Sequence, residues 1–128
     1  MKALVQAQIS AASMGHEKMG SGHLLCGLCR VGDELTRCLL GDLTAGEIEE
    51  EVLRRCVRGE VGFSRVTGLT PHAQRALLRA VTYANPEKKI LAGIAHIWQE
   101  LLYEDGCTAL IVLASLGRTV EAMRTALL

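Results

Sequence analysis

The sequence is poor in aromatic residues, in charge of one sign and in long apolar runs. Only four of its 128 residues are phenylalanine, tyrosine or tryptophan, so we expect an aliphatic, alanine-rich core of closely packed helices. The formal net charge is zero and no basic cluster is larger than a pair, which argues against a nucleic-acid partner. The longest apolar run, 109–114, is far shorter than a membrane span requires, so we expect no membrane association.

Signals for export, ATP hydrolysis and nucleophilic catalysis are missing as well. No uninterrupted apolar stretch precedes a small-residue cleavage site near the start of the chain, so we expect a cytoplasmic protein with reduced cysteines. The phosphate-binding pattern G-x-x-x-x-G-K-[ST] does not occur. No serine or cysteine stands with a base and an orienting acid in a recognisable spacing. We therefore predict a protein that is not an enzyme and that uses no cofactor.

The sequence does contain an internal repeat with a constant offset of 73 residues, the separation of His23 and His96. Segment 20–24 reappears as 93–97, and the two copies align without a gap over about 40 residues, which predicts two copies of one supersecondary unit. We expect an all-α protein of two four-helix repeats, eight helices in all, related by a pseudo-twofold axis. The expected division places repeat one at 1–57, a linker at 58–69 and repeat two at 70–128.

Helix signals occur at matching places in both copies. In copy one the predicted helices cover 3–14, 21–31, 34–40 and a segment opened by the capping box 44–47. In copy two they begin at Thr70 and then cover 94–104, 107–114 and 119–127. Thr70 is a candidate N-cap, and Pro71 occupies the first helical position, where its missing N–H is harmless. After Leu116 copy two is predicted to drop one residue, which places Val120 opposite Ile48.

Several motifs together resemble the Clp N-terminal domain, the double four-helix repeat in front of the ATPase modules of ClpA- and ClpC-type unfoldases. They are Met14-Gly15-His16, Gly20-x-x-His23, Gly27-Leu28-x-Arg30-x-Gly32, Thr70-Pro71-x-Ala73 and Gly93-x-x-His96. The resemblance covers nearly the whole chain, including the repeat itself. It implies a docking domain that receives substrates or adaptor proteins for an AAA+ unfoldase, which feeds a ClpP-type protease. A chain of this length would be a stand-alone copy of that domain.

The resemblance also implies a ligand that this chain is not expected to bind. In ClpC-like members each half carries a phosphoarginine pocket, built from a threonine at the start of the first helix and a glutamate before the motif histidine. Here Gly22 and Ala95 stand at the glutamate positions. Thr70 is present in copy two, whereas copy one starts after the position of its threonine. Without either carboxylate to pair a guanidinium, phosphoarginine recognition of the family kind is not expected.

The predicted binding groove lies between the copies and involves the helix that starts at Thr70, the linker 58–69 and the turns 20–23 and 93–96. Trp98 replaces Leu25 of copy one, so a partly exposed indole beside Tyr103 would anchor a partner, but a core position is the favoured interpretation. The predicted peptide- or partner-binding residues are Thr70, Phe63, Leu69, Trp98 and Tyr103. The predicted structural residues are the ones that both copies retain, namely Gly20, His23, Gly93 and His96.

Two alternative functions remain open from the sequence. Cys26-x-x-Cys29, completed by Cys38, would suit a thiol or metal sensor. The pair lies in the middle of a predicted helix rather than at its amino end, where the dipole lowers a thiol pKa. Copy two has Gln99 and Leu102 at these places, which favours small buried structural cysteines. The second alternative is a decoy that captures a small apolar or peptide ligand of a Clp unfoldase.

Overall fold

The structure, a computed structural model, describes residues 2–16, 18–55, 68–84 and 94–126. Within these ranges it contains eight helices: α1 (Lys2–Ser13), α2 (Ser21–Val31), α3 (Glu34–Leu40), α4 (Ala45–Arg55), α5 (Pro71–Ala84), α6 (Ile94–Leu102), α7 (Thr108–Ser115) and α8 (Val120–Ala126). The predicted all-α fold of eight helices is confirmed. We call α1–α4 copy one and α5–α8 copy two. Among the described helices, none is both long and apolar enough to cross a membrane.

Local capping explains why the helices of copy one begin and end where they do. Helix α2 stops at Gly32, which adopts a left-handed conformation with φ of 60°. Asp33 then caps α3, because its Oδ1 accepts a hydrogen bond of 2.9 Å from the N–H of Thr36. The predicted capping box before α4 is present: the N–H of Glu47 donates to Thr44 Oγ1, and the N–H of Thr44 donates to Glu47 Oε1.

Two very short strands were not predicted from the sequence. The strands β1 (Lys18–Met19) and β2 (Gly68–Leu69) pair in parallel, with Lys18 opposite Gly68 and Met19 opposite Leu69. The N–H of Thr70 extends the ladder by donating to Met19 O at 3.0 Å. A two-residue strand shows no alternation that a sequence pattern could reveal. Its effect is large, because it fixes the start of α5 beside the loop between α1 and α2.

Trp98 is part of the interface between the two copies. Its side chain is fully buried, and its Nε1–H donates to Thr36 Oγ1 of α3 at 2.9 Å. A second link joins the N–H of Ala109 to Ser21 Oγ at 3.0 Å. The indole therefore lies in the core, the position that the sequence favoured. The inclusion of Trp98 among the partner-binding residues is corrected, because its side chain is buried and its N–H is bonded inside the protein.

The alignment of the two copies also needs correction at their last helices. The N–H of Ile48 bonds to Thr44 O, and the N–H of Met123 bonds to Thr119 O. Ile48 and Met123 are both buried, so they occupy equivalent places in α4 and α8. Copy two therefore gains residues before α8 instead of dropping one, and Val120 does not lie at the position of Ile48. Short helices carry too few apolar residues to fix their register from sequence alone.

Candidate functional site

A cavity of about 540 Å³ opens where the amino ends of three helices from both copies meet. Its size falls in the range of typical ligand pockets, roughly 300–1,000 Å³. Residues of copy one, of the loop that carries β1, and of copy two contribute to its wall. The described lining residues are Gly15, His16, Lys18, Gly20, Ser21, Gly22, His23, Val52, Thr70, His72 and Thr108.

Thr70 belongs to copy two, but it lines the cavity beside the turn 20–23 of copy one. The pairing of β1 with β2 places Thr70 so close to Gly20 that a Cβ on the glycine would lie 3.3 Å from Thr70 Cγ2. The family resemblance implies a pocket formed by Thr70 and position 95 of the same copy, but Ala95 is exposed and is not among the described lining residues. Gly22, at the glutamate position of copy one, lines the same cavity as Thr70 and also lacks a carboxylate.

His23 holds the turn at the start of α2. Its side chain is buried, and its Nδ1 accepts a hydrogen bond of 2.8 Å from the N–H of Gly20. Because a backbone N–H can only donate, the proton of the neutral ring is on Nε2, which donates to His16 Nδ1 at 2.9 Å. Burial, helped by the neighbouring imidazole of His16, lowers the pKa of His23 to about 4. His23 therefore stays neutral and acts as a capping side chain.

This geometry predicts a loss of stability in mildly acidic solution. The pKa of His23 rises from about 4 in the folded protein to 6.5 in the unfolded chain, so the unfolded state takes up a proton first as the pH falls. The free energy of unfolding should drop across that window, by about 2–3 kcal/mol for this residue. Urea denaturation at a series of pH values measures the slope. The variant His23→Gln can still cap α2 from the same position but cannot titrate, so an unchanged slope in that variant would refute the assignment.

The floor of the cavity is shaped by the absence of a side chain at Gly22. A Cβ there would lie 3.2 Å from Val52 Cγ2 and 3.3 Å from Thr108 Cγ2, so α2 approaches α4 and α7 too closely for a larger residue without adjustment. Lys18 is exposed and supplies a positive charge to the wall, and His72 lines it from α5. None of the described lining residues is acidic. The position of Lys18 beside the start of α5 depends on the pairing of β1 with β2, and no sequence pattern points to Lys18 or His72.

The other predicted binding residues lie away from this cavity or outside the described ranges. Leu69 is half-buried in β2 and packs against the core. Tyr103 is 52% exposed, and the guanidinium of Arg124 lies 4.6 Å from its ring centroid. His96 is half-buried in the first turn of α6. Phe63 and Gly93 lie outside the described residues. Of the predicted residues, the structure brings together Gly20, His23 and Thr70.

The cysteines do not form a reactive or metal-binding group in the described part of the chain. Burial raises the pKa of the Cys26 thiol to about 12 and also raises the pKa of Cys29, whereas a reactive thiol needs a lowered pKa. Cys38 is exposed on α3, whereas Cys26 is buried and Cys29 is half-buried. Among the described residues, no three histidine, cysteine or acidic side chains lie close enough to hold a metal ion.

Comparison with known proteins relates this fold to the Clp unfoldases. Over 125 residues the chain is 30% identical to the negative regulator of genetic competence ClpC/MecB of Bacillus subtilis (strain 168). The aligned region covers 96% of this chain and 15% of ClpC/MecB. The N-terminal domain of the caseinolytic-protease-associated chaperone ClpD from Arabidopsis thaliana matches with a TM-score of 0.77 and 23% identity, over 98% of this chain and 87% of that chain. The fold is that of the Clp N-terminal domain.

A second solved structure has the same fold. A chain solved in preliminary structural investigations of a malarial protein secretion system has a TM-score of 0.69 and 19% identity, over 98% of this chain and 86% of that chain. No protein-family model matches the sequence. The resemblance to the Clp N-terminal domain, drawn from short motifs and the repeat, is thus confirmed. Since the chain spans only 15% of ClpC/MecB, the partners of that protein do not transfer to it directly.

Proposed function

We propose that this Clp N-terminal domain is a non-catalytic protein-binding module of a cytoplasmic Clp-type proteolysis system. Its cavity would receive a segment of a substrate or adaptor and so modulate what reaches an AAA+ unfoldase and a ClpP-type protease. The observation that carries the proposal is the open cavity between the two copies, on a fold shared with the Clp chaperones. Clefts between packed units are frequent sites for ligands and peptides.

The side chains around the cavity support a binding role over catalysis. Ser21 and His23 both line it, which would be the elements of a nucleophile and a base. However, Ser21 Oγ accepts from the N–H of Ala109, while the two ring nitrogens of His23 bond to Gly20 and His16. With a pKa of about 4, His23 would also be a poor base near neutral pH. These groups hold the fold together and leave the cavity without an activated nucleophile.

The proposal predicts selective capture of Clp components from the native lysate. Immobilised protein should retain a Clp-type unfoldase, an adaptor or known substrates of the system, identified by mass spectrometry. Lys18→Glu reverses a charge at the cavity and should reduce the captured amounts severalfold, since docking contacts there would be lost. Arg37→Glu reverses an exposed charge on α3, outside the cavity lining, and should capture the same set as the wild type.

Two results would contradict this function. Capture of no proteolysis component by the wild-type protein would remove the link to the Clp system. Equal loss of capture in both charge variants would show a general charge effect instead of docking at the cavity. The decoy hypothesis remains a prediction within this framework: it requires that a small ligand, added in excess, displaces the captured proteins and is itself retained.

A further inference from the structure

Among its described residues, the wall of the cavity combines carbon surfaces with one permanently charged cation, Lys18. Val52 lies at the floor, and the methyl groups of Thr70 and Thr108 come within 3.3 Å of the Cβ positions of Gly20 and Gly22. The glycines themselves offer only backbone. A surface of this kind favours an apolar group of modest size, because burying it removes hydrocarbon from water without leaving a buried polar atom unpaired.

The positive charge of Lys18, at the edge of the cavity, favours a ligand with a negative charge. Lys18 is exposed at the start of β1 and lines the cavity, so its side chain is accessible to a ligand. His23 adds no charge, because its pKa is lowered to about 4. Since none of the described lining residues is acidic, these residues favour an anion over a cation and do not pair a guanidinium.

We propose that the cavity binds the carboxyl-terminal residue of a polypeptide, with an apolar side chain inside and the free carboxylate at Lys18. Such a residue carries its apolar side chain and its carboxylate on the same Cα atom. The side chain can therefore contact the carbon surfaces of the cavity while the carboxylate points to Lys18 at the edge. An internal aspartate or glutamate carries its charge at the tip of the side chain and would direct that charge toward the carbon floor. This inference rests on the proposed docking function and names the chemistry of the docked segment.

A pair of peptides tests the inference directly. A fluorescein-labelled hexapeptide of glycine and serine that ends in leucine is titrated with the protein, once as the free acid and once as the amide, and fluorescence anisotropy is followed. The amide should bind at least about tenfold more weakly, the typical size of a lost charge-assisted hydrogen bond. Lys18→Ala should weaken the free acid by a similar factor and leave the amide unchanged. Lys18→Arg should retain most of the affinity.

Control variants and competing ligands make the test decisive. Arg37→Ala removes an exposed positive charge outside the cavity lining and should not change binding of either peptide. Equal binding of acid and amide, or no binding of either, would overturn the inference, whereas the lysate capture would still decide the docking function separately. An amidated peptide ending in glutamate that binds as well as the free acid would overturn the choice of the chain end. Stronger competition by inorganic phosphate than by acetate would identify a phosphate site instead.

Discussion

Gly27→Ala should destabilise the protein by about 3 kcal/mol or more, a cost expected when a core contact is overpacked and backbone must move. A Cβ on Gly27 of α2 would lie 2.3 Å from the carbonyl oxygen of Ala3 and 2.8 Å from the backbone nitrogen of Ala7. Both are atoms of the α1 backbone, so no side-chain rotation can relieve the clash. Helix α1 would have to move away from α2, which would open the core of copy one. Urea denaturation followed by circular dichroism measures the effect.

Gly46→Ala is the matched control for this substitution. Gly46 also lies within a helix, α4, but it is exposed and its nearest neighbour to a new Cβ is Thr44 Oγ1 at 3.8 Å. Alanine is there expected to stabilise the protein by up to about 1 kcal/mol, because it has the higher helix propensity. A loss at Gly27→Ala no larger than 1 kcal/mol would show that α1 and α2 are less tightly packed than the structure indicates.

Copy two replaces this close backbone contact with charged side chains. Glu100 stands 73 residues after Gly27, at the same place in α6 that the glycine occupies in α2. Its carboxylate accepts from Arg79 Nε at 2.8 Å, and Arg79 in turn corresponds to Gln6 of α1. The two copies thus share the order of their helices, but the contact between α1 and α2 differs in kind from the contact between α5 and α6. At this place the first pair is in direct van der Waals contact, whereas ion pairs join the helices of the second pair.

The sequence was sufficient to predict the helices because their signals are local. The cap of Asp33, the glycine at position 32 and the capping box of Thr44 and Glu47 act within a few residues, and the structure shows all of them. The end of α6 was placed two residues too late, at Glu104 instead of Leu102. Past Leu102 the side chain of Glu104 turns to the arginines of α5, a tertiary preference that no local signal reveals.

The site was only partly predictable, for a related reason. Gly20, His23 and Thr70 were singled out from the repeat and the motifs, but their assembly into one cavity depends on the pairing of β1 with β2. That contact joins residues 50 positions apart, as the register of Lys18 with Gly68 shows. The core position of Trp98 was favoured from the sequence, but its hydrogen-bond partner, Thr36, comes from the other copy and could not be predicted. Pairings across the two copies are not encoded in the pattern of either copy alone.

Glu104→Gln should produce the second large loss of stability, about 2–3 kcal/mol near neutral pH. Glu104 is 6% exposed, and its carboxylate accepts hydrogen bonds from Arg79 Nη2 at 2.6 Å, Arg75 Nε at 3.0 Å and His72 Nδ1 at 2.8 Å. A glutamine can replace only part of these acceptors and removes the charge that compensates the arginines. The loss stays below that of a fully buried pair, because the arginine and histidine side chains are 35–54% exposed and can be hydrated.

The same carboxylate should control stability in strongly acidic solution. Burial alone would raise the pKa of Glu104, but the hydrogen bonds from Arg79, His72 and Arg75 outweigh it and lower the pKa from 4.5 to about 2. A depressed carboxyl pKa stabilises the folded state above 4.5, and this contribution is lost as the pH falls toward 2. The wild type should therefore lose stability across that window, whereas Glu104→Gln should show a flatter profile.

Glu121→Gln is the control that separates this cluster from ordinary surface charges. Glu121 pairs with Arg124 in α8 at 3.1 Å, but its side chain is 82% exposed. Exposed pairs of this kind contribute at most about 1 kcal/mol, so the control should resemble the wild type both near neutral pH and in acid. If Glu104→Gln and Glu121→Gln behaved alike, the cluster on α5 and α6 would be a solvated surface network. The carboxylate of Glu104 would then not be what holds the first two helices of copy two together.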